Sequence, residues 1–217
     1  MQISVIGSGY VGTTIAAIFA DLGHTVTCVD LDEEIVDTIN AGDTPVHEPG
    51  LPALIAEHGG YRLTATTDDG DVVETDISFL ALPTPSKEDG SIDRTYVEAG
   101  AQSLGEALVA ADGDTDHTVI VKSTVVPGTT EELVGPTVAE AADMTVGEDL
   151  HVGMNPEFQR EGTAVEDFRN PDKVVFGSDD PAAVDVLHGV FEPLIDAAEG
   201  DVSVVETGTR EAEMIKY

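Results

Sequence analysis

The sequence predicts an α/β fold in which a doubly wound, mostly parallel β-sheet carries helices on both faces. Two observations predict it: short runs of β-branched and apolar residues recur along the chain, and helix-like segments lie between them. Strands that are buried on both faces are apolar throughout, and alternating strands and helices imply right-handed crossovers. The predicted strands are Ile3 to Ile6, Thr25 to Val29, Ile77 to Leu82, Thr118 to Val121, His151 to Met154, Val174 to Phe176 and Val202 to Val205.

The predicted helices follow from residue spacing. From Val97 to Ala111, apolar side chains recur at intervals of three and four, so one face of this segment can pack on a sheet. Two acidic, glycine-containing stretches, residues 68–71 and 112–116, are interpreted as surface turns. The predicted helices are Val11 to Leu22, Glu33 to Ala41, Asp93 to Ala111, Thr129 to Ala142 and Ala182 to Ala197.

The charge balance excludes one large class of partner. The chain has 43 acidic and 9 basic residues, which gives a net charge of −34 over 217 residues. Nucleic-acid binding depends on clustered Lys and Arg, so we expect none here. Because the acids are spread along a chain whose regular apolar runs argue against disorder, we interpret them as the hydrated surface of a halophilic protein.

The rest of the composition predicts a cytoplasmic protein. No stretch approaches the roughly eighteen apolar residues of a membrane span, and the segment MQISVIGSGY does not resemble a signal peptide. Cys28 is the only cysteine, and its position inside a predicted strand suits a small buried hydrophobe better than a nucleophile. The six histidines show no metal-ligand spacing, so no metal site is predicted.

A dinucleotide-binding motif follows the first predicted strand. The segment GSGYVG fits the pattern G-x-G-x-x-G and opens the first predicted helix. Gly7 permits a tight turn, Gly9 lets a pyrophosphate approach the backbone, and Gly12 lets helix and strand pack closely. The cofactor-binding residues predicted from this motif are Gly7, Ser8, Gly9, Tyr10, Val11 and Gly12.

The second predicted strand ends in Asp30, 18 residues after Gly12. A carboxylate there accepts hydrogen bonds from a ribose 2′-hydroxyl and repels a 2′-phosphate, so it favours NAD over NADP. FAD-binding proteins share the fingerprint, so the motif alone leaves the cofactor open. Together these features predict a Rossmann-like dinucleotide-binding domain over residues 1–206.

Three further strand ends carry polar segments. LPTPSKEDGSID begins at Leu82, KSTVVPGTT spans residues 122–130, and NPEFQREGTAVEDF follows a third apolar strand. The carboxyl ends of parallel strands border the ligand crevice, so we expect two carboxylates, Glu157 and Glu161, and the Arg160 guanidinium there. Taken alone, each segment also fits an ordinary turn or a solvated acidic loop.

These segments, in this order, resemble the UDP-glucose/GDP-mannose 6-dehydrogenase family. HEPGL (47–51), PDKVVFG (171–177) and EAEMIKY (211–217) extend the resemblance over essentially the whole chain. Within the family the sequence looks most like archaeal UDP-glucose 6-dehydrogenases, and GDP-mannose 6-dehydrogenase or another UDP-sugar dehydrogenase is the alternative. The resemblance implies an NAD-dependent oxidation in two steps, from the C6 alcohol of UDP-glucose to the carboxylate.

The resemblance also implies residue roles. Thr124 would place the catalytic water, Glu157 would act as general acid/base, and Lys216 would stabilise the alkoxide and later oxyanions. The implied NAD contacts are Thr84, Ser123, Thr124 and Glu161, and the implied substrate-binding residues are Glu157, Phe158, Gln159, Arg160, Glu161 and Lys216.

The sequence departs from the family pattern in three respects. Ile35 stands where a basic residue is usual, and Gln159 stands where Leu is usual. The thioester-forming cysteine of a Gly-Gly-Ser-Cys-Phe-Pro segment is not among these residues. We therefore expect the NAD-binding portion of an enzyme that is a homodimer when complete, with residues 207–217 starting the helix to a central domain. A short NAD-binding protein without dehydrogenase activity of its own is the second hypothesis.

Overall fold

The structure is a computed structural model that describes residues 1–109 and 116–216. Eight strands of these residues form one sheet in the order β3-β2-β1-β4-β5-β6-β7-β8, where the labels follow chain order. The strands are β1 (Gln2–Ile6), β2 (Thr25–Val29), β3 (Leu63–Thr66), β4 (Ile77–Leu80), β5 (His117–Val121), β6 (Leu150–Met154), β7 (Lys173–Gly177) and β8 (Ser203–Thr207).

Neighbouring strands are parallel, except that β6 and β7 pair antiparallel. This arrangement confirms the predicted doubly wound, mostly parallel fold. Seven α-helices lie between the strands of the described residues and an eighth follows β8: α1 (Tyr10–Asp21), α2 (Glu33–Asn40), α3 (Leu51–His58), α4 (Thr95–Leu108), α5 (Gly135–Ala142), α6 (Ala164–Arg169), α7 (Pro181–Ala197) and α8 (Thr209–Ile215).

The core lies on both faces of the sheet because the strands are apolar on both sides. On β4, Phe79 belongs to one buried cluster and Leu80 to the other, as side chains that alternate along a strand must. Helices α1, α3, α6 and α7 contribute to the first cluster, and α4, α5 and α8 to the second. Within the described residues, no helix has the length and apolarity that a bilayer crossing requires.

Several element boundaries differ from the predictions. The strand expected to reach Leu82 ends at Leu80, and the helix expected from Thr129 begins as a π-helical turn over Thr130–Val134. The stretch 68–71, interpreted as a turn, leads into a 3-10 helix over Asp69–Glu74. The turn interpreted at 112–116 falls almost wholly outside the described residues.

Three elements were missed because each is short: α3, β3 and α6 have eight, four and six residues. In α3 the buried positions Leu51, Leu54, Ile55 and His58 have helical spacing, and β3 alternates between buried and half-buried side chains. Segments this short resemble turns in a periodicity analysis, and they are stabilised mainly by the surfaces on which they pack.

Candidate functional site

A cavity of about 650 Å³ opens where β1, β4 and β5 end. Because β1, β4, β5 and β6 run in the same direction, the loops that follow them meet at this edge of the sheet. Of the residues singled out from the sequence, those lining the cavity are Gly7, Gly9, Tyr10, Val11, Asp30, Thr84, Ser123, Thr124, Glu157, Gln159 and Lys216.

The three glycines of the motif differ in what surrounds them. Gly7 has φ +95°, and a Cβ on Gly12 would lie 1.8 Å from the Gly7 carbonyl oxygen. Both are therefore required by the turn and by its contact with the helix. A Cβ on Gly9 would meet nothing within 4 Å, so the backbone at Gly9 is open to a ligand in the cavity.

The N-terminus of α1 has free hydrogen-bonding capacity. Its N-cap, Gly9, has no side-chain capping bond, and its first turn carries no acidic side chain. By contrast, the Asp32 side chain caps α2, whose first turn contains Glu33 and Glu34. In a chain with 43 acids, an uncapped helix whose own first turn has no acidic residue suits an anionic ligand such as a pyrophosphate.

Asp30 lies at the end of β2 with both carboxylate oxygens oriented by the backbone. One oxygen accepts the Ser8 N–H at 2.6 Å, and the other accepts the Asp32 N–H at 3.1 Å. Each oxygen keeps a lone pair for a ribose hydroxyl. Ile35, which stands where the family usually has a basic residue, also lines the cavity.

The hydroxyls of Ser123 and Thr84 hold two strand ends together. The Ser123 hydroxyl accepts the Leu82 N–H at 2.8 Å and lies 2.8 Å from the Leu82 carbonyl oxygen, to which it can donate. The Thr84 hydroxyl donates to the Thr124 carbonyl oxygen at 2.7 Å. Both residues line the cavity, but their hydroxyls are engaged with the protein.

Glu157 is buried at the wall of the cavity beside a lysine that the sequence interpretation passed over. Lys122 is 3% exposed, and its Nζ lies 3.2 Å from Glu157 Oε2. The same Nζ donates to Asn155 Oδ1 at 2.7 Å. Burial lowers the pKa of Lys122, and the Glu157 carboxylate opposes that shift. A lysine directly after the apolar run of β5 is the signal that could have found it.

Lys216 reaches the same wall from α8, where its Nζ donates to the Glu157 carbonyl oxygen. Glu213, one turn earlier and fully buried, anchors α8. Its carboxylate accepts the Gly128 N–H at 2.5 Å, the Thr130 N–H at 2.8 Å and the Thr130 hydroxyl at 2.7 Å. Glu213 therefore fixes Lys216 relative to the loop after β5, a function that its place in an acidic sequence did not reveal.

A second buried carboxylate connects the glycine motif with the loop after β6. Glu48 accepts the Tyr10 hydroxyl and the N–H groups of Gly162 and Ala164, each of the latter at 2.8 Å. Burial would raise the pKa of Glu48, but these hydrogen bonds outweigh it and leave that pKa below its ordinary value. Burial and Glu48 raise the pKa of Tyr10 to about 12.

Two of the residues expected at the crevice do not line this cavity. Among the described residues, the cavity lining includes neither Arg160 nor Glu161; the Arg160 guanidinium pairs with Asp167 at 2.6 Å and is largely exposed. Phe158 borders a smaller adjacent space, where the Lys173 ammonium lies 4.7 Å from its ring centroid. Cys28 is fully buried, and burial raises its pKa to about 12, as expected of a side chain that is not a nucleophile.

One group of possible metal ligands occurs in the described residues. Ligand atoms of Asp21, Glu57 and His58 lie within 4.8 Å of one another. Asp21 already pairs with Arg169 and with His58, so its carboxylate is neutralised by the protein. The absence of a metal site stays a prediction.

Comparisons with known proteins agree with this geometry. Residues 1–195 match the family described as UDP-glucose/GDP-mannose dehydrogenase family, NAD binding domain. All 217 residues align at 54% identity with half of UDP-glucose 6-dehydrogenase AglM of Haloferax volcanii. The chain thus spans about half the length of the curated relatives it matches.

Two solved structures share the fold over the whole chain. A ternary complex of GDP-mannose dehydrogenase from Pseudomonas aeruginosa has a TM-score of 0.92 at 38% identity, and a UDP-glucose dehydrogenase from Pyrobaculum islandicum has 0.89 at 41%. In each, the chain covers 48% of the solved protein. With an open Gly9, an uncapped α1 and an oriented Asp30, the cavity fits NAD. The chain therefore belongs to the UDP-glucose/GDP-mannose dehydrogenase family and carries its NAD-binding domain.

Proposed function

We propose that the complete protein oxidises the C6 alcohol of UDP-glucose to UDP-glucuronate with NAD, and that this cavity is its reaction centre. One observation carries the proposal: Glu157 and Lys216 line the same cavity as the glycine motif and Asp30. A carboxylate and an ammonium would thus lie beside the bound dinucleotide. The 54% identity to a relative named UDP-glucose 6-dehydrogenase favours this sugar nucleotide.

Residues of this chain account for cofactor binding in the proposal. The α1 N-terminus at Gly9 would receive the pyrophosphate, and Asp30 would accept the ribose hydroxyls. Thr84, Ser123 and Thr124 would contact the nicotinamide side through backbone groups and methyls, because the Thr84 and Ser123 hydroxyls are engaged with the protein. Bound NAD supplies the hydride acceptor.

The catalytic assignments rest on charge and position. As C6 loses a hydride, its oxygen loses a proton, so the site needs a base and a cation beside that oxygen. Glu157 would exchange the proton, and the Lys216 ammonium would stabilise the developing negative charge. Thr124 would place the water used in the second oxidation. Phe158 to Glu161 would contact the nucleotide sugar mainly through backbone groups.

The second oxidation requires a nucleophile that these residues do not provide, since Cys28 is buried in β2. A cysteine elsewhere in the complete protein would form the thioester that Glu157 helps to hydrolyse. The complete enzyme would be a cytoplasmic homodimer.

We further propose that its acidic surface is an adaptation to concentrated salt. The melting temperature should therefore rise from dilute buffer to molar KCl, and a fall in melting temperature would contradict the proposal.

GDP-mannose is the second candidate substrate, because the GDP-mannose dehydrogenase structure has a TM-score of 0.92 and covers the whole chain. Turnover of the full-length protein with each sugar nucleotide distinguishes the two. We expect NADH formation with UDP-glucose, with a kcat/KM at least ~100-fold above that for GDP-mannose. The reverse preference would replace UDP-glucose in the proposal.

Two variants test the site. In the full-length protein, Lys216→Met should lower kcat by about 1,000-fold while NAD affinity changes little. Asp30→Ala should weaken NAD binding by this chain by about 10-fold or more, because the ribose loses its acceptor. Lys87→Met is the matched control, since Lys87 is exposed and pairs with Asp93. Turnover by Lys216→Met equal to that of the control would remove Lys216 from the reaction.

A further inference from the structure

Lys122 is a buried cation for which the proposed reaction has no role. It is 3% exposed, whereas the other lysines of the chain, Lys87, Lys173 and Lys216, are partly or fully exposed. Transfer of an ammonium out of water is costly unless its donors and its charge are matched. Such a residue beside a cavity is therefore either a packing feature that the fold tolerates or part of the site.

The ammonium has one hydrogen bond and one ion pair with protein groups. Nζ donates to Asn155 Oδ1 at 2.7 Å, lies 3.2 Å from Glu157 Oε2 and lies 5.4 Å from the Phe168 ring centroid. Asn155 is itself fixed, because its Nδ2 donates to the Val175 carbonyl oxygen at 2.8 Å. Lys122 also lines the cavity, and its charge is matched there by the Glu157 carboxylate.

The Glu157 carboxylate is held from two sides. Oε1 accepts the Gln159 N–H at 2.5 Å, and in the described residues the only cation within ion-pair distance of Oε2 is Lys122. The remaining charged groups nearby are otherwise engaged. Lys216 on α8 donates to the Glu157 carbonyl oxygen, Asp167 on α6 pairs with Arg160, and Lys173 on β7 lies over the Phe158 ring.

We propose that Lys122 is a positioning residue that supplies the counter-charge of the buried Glu157 carboxylate and holds it at the cavity wall. This inference rests on the proposed role of Glu157 in proton transfer. A buried carboxylate without a counter-charge takes up a proton readily, and a protonated Glu157 could not accept one from the substrate. Lys122 acts through Glu157, with no contact to the substrate of its own.

The test compares kcat as a function of pH for variants of the full-length protein. Glu157→Gln should lower kcat by about 100-fold or more. Lys122→Met removes the charge but keeps the length of the side chain; it should lower kcat about 10-fold near neutral pH and move the acidic limb of the profile upward by about one unit or more. The KM for NAD of Lys122→Met should stay near the wild-type value. The Lys87→Met control should keep the wild-type kcat and pH profile.

A double variant separates positioning from packing. If Lys122 acts only through Glu157, Lys122→Met combined with Glu157→Gln should be no slower than Glu157→Gln alone. Additive losses, or an acidic limb that does not move in Lys122→Met, would overturn the inference while leaving Glu157 in place. If Glu157→Gln keeps wild-type turnover, the proposed function of Glu157 fails first, and Lys122 then has no base to position.

A second variant covers the case in which Lys122→Met does not fold. Asn155→Ser keeps both charges but weakens the contact that orients Lys122, so the acidic limb should move in the same direction by a smaller amount. NAD affinity and the thermal unfolding of this chain report whether each variant is folded. An unmoved limb in a folded Asn155→Ser protein counts against the inference.

Discussion

The two ends of the central strands bury polar groups in opposite ways. At the carboxyl ends of β5 and β6, Lys122 and Glu157 are charged partners 3.2 Å apart beside an open cavity. At the amino ends of β1, β4 and β5, the buried groups are Ser4, Ser78 and His117. Both sets of groups belong to the same sheet, and of these five residues Lys122 and Glu157 are the buried ion pair.

The amino end is a neutral hydrogen-bonded network. Ser4 Oγ and Ser78 Oγ lie 2.6 Å apart, and Ser78 Oγ lies 2.8 Å from His117 Nε2. Burial lowers the pKa of His117 to about 4, so the ring is neutral near pH 7. Polar groups that satisfy one another in this way specify strand register and need no ligand.

The comparison distinguishes buried polar groups that stabilise the fold from buried polar groups that serve a reaction. A neutral, closed network costs little once it is fully paired, whereas a buried ion pair pays desolvation for both partners. Charge next to a cavity is therefore the more informative observation about function. We therefore expect variants at the carboxyl end to change NAD affinity, stability or both, and variants at the amino end to change stability alone.

The largest expected effect is at two glycines of the carboxyl end. Gly12→Ala should lower the free energy of unfolding by about 4 kcal/mol or more, because its Cβ would lie 1.8 Å from the Gly7 carbonyl oxygen. Gly9→Ala, whose Cβ meets no atom within 4 Å, should keep its stability and lose NAD affinity. Denaturant unfolding and NAD titration measure both; a stable Gly12→Ala protein would contradict the packing argument.

The next effect is the response of the amino end to acid. His117 has a folded pKa of about 4 against an ordinary 6.5, so the unfolded chain binds more protons between these values. Stability should therefore fall as pH drops from 6.5 towards 4, by about 3 kcal/mol from this group.

His117→Gln is the matched variant for that measurement, because its side chain does not titrate. Its stability should change less steeply across the same pH window, while its NAD affinity at neutral pH stays close to wild type. Equal slopes in the two proteins would show that other groups cause the acid response.

The smallest of the three effects is at Glu48, which joins the two loops of the carboxyl end. Glu48→Gln should lower the free energy of unfolding by about 2 kcal/mol, since its amide cannot accept from Tyr10, Gly162 and Ala164 together. Tyr10→Phe removes one of these bonds and should cost less. Thermal unfolding measures the stability of both variants. A larger loss of stability for Tyr10→Phe than for Glu48→Gln would contradict the view that Glu48 joins the two loops.

Much of this fold could be predicted from residue patterns. The runs that became β1, β2 and β5 are short and rich in β-branched and apolar residues, and α4 keeps its buried residues at helical spacing from Val97 to Leu108. Those signals come from neighbouring residues, so they need no tertiary information. The glycine motif and Asp30 were found for the same reason, because a fixed spacing in the sequence sets their geometry.

What escaped prediction depends on long-range contacts. Lys122, Glu48 and Glu213 stand in segments noted for other residues, and nothing local marks them among 43 acids and 9 bases. Arg160 was expected at the crevice by its position after a strand, but Asp167, seven residues later, binds its guanidinium instead.

The sequence by itself determined the fold class, the NAD-type motif and the family, because these depend on hydrophobic periodicity and on glycines at fixed spacing. The tertiary structure alone decided which charged side chains are buried and which partners they have. Lys122 and Glu157 are 35 residues apart in the chain, and only the parallel pairing of β5 with β6 brings them to 3.2 Å. Burial then strengthens the electrostatic attraction between the two side chains, because charges interact strongly where water is excluded.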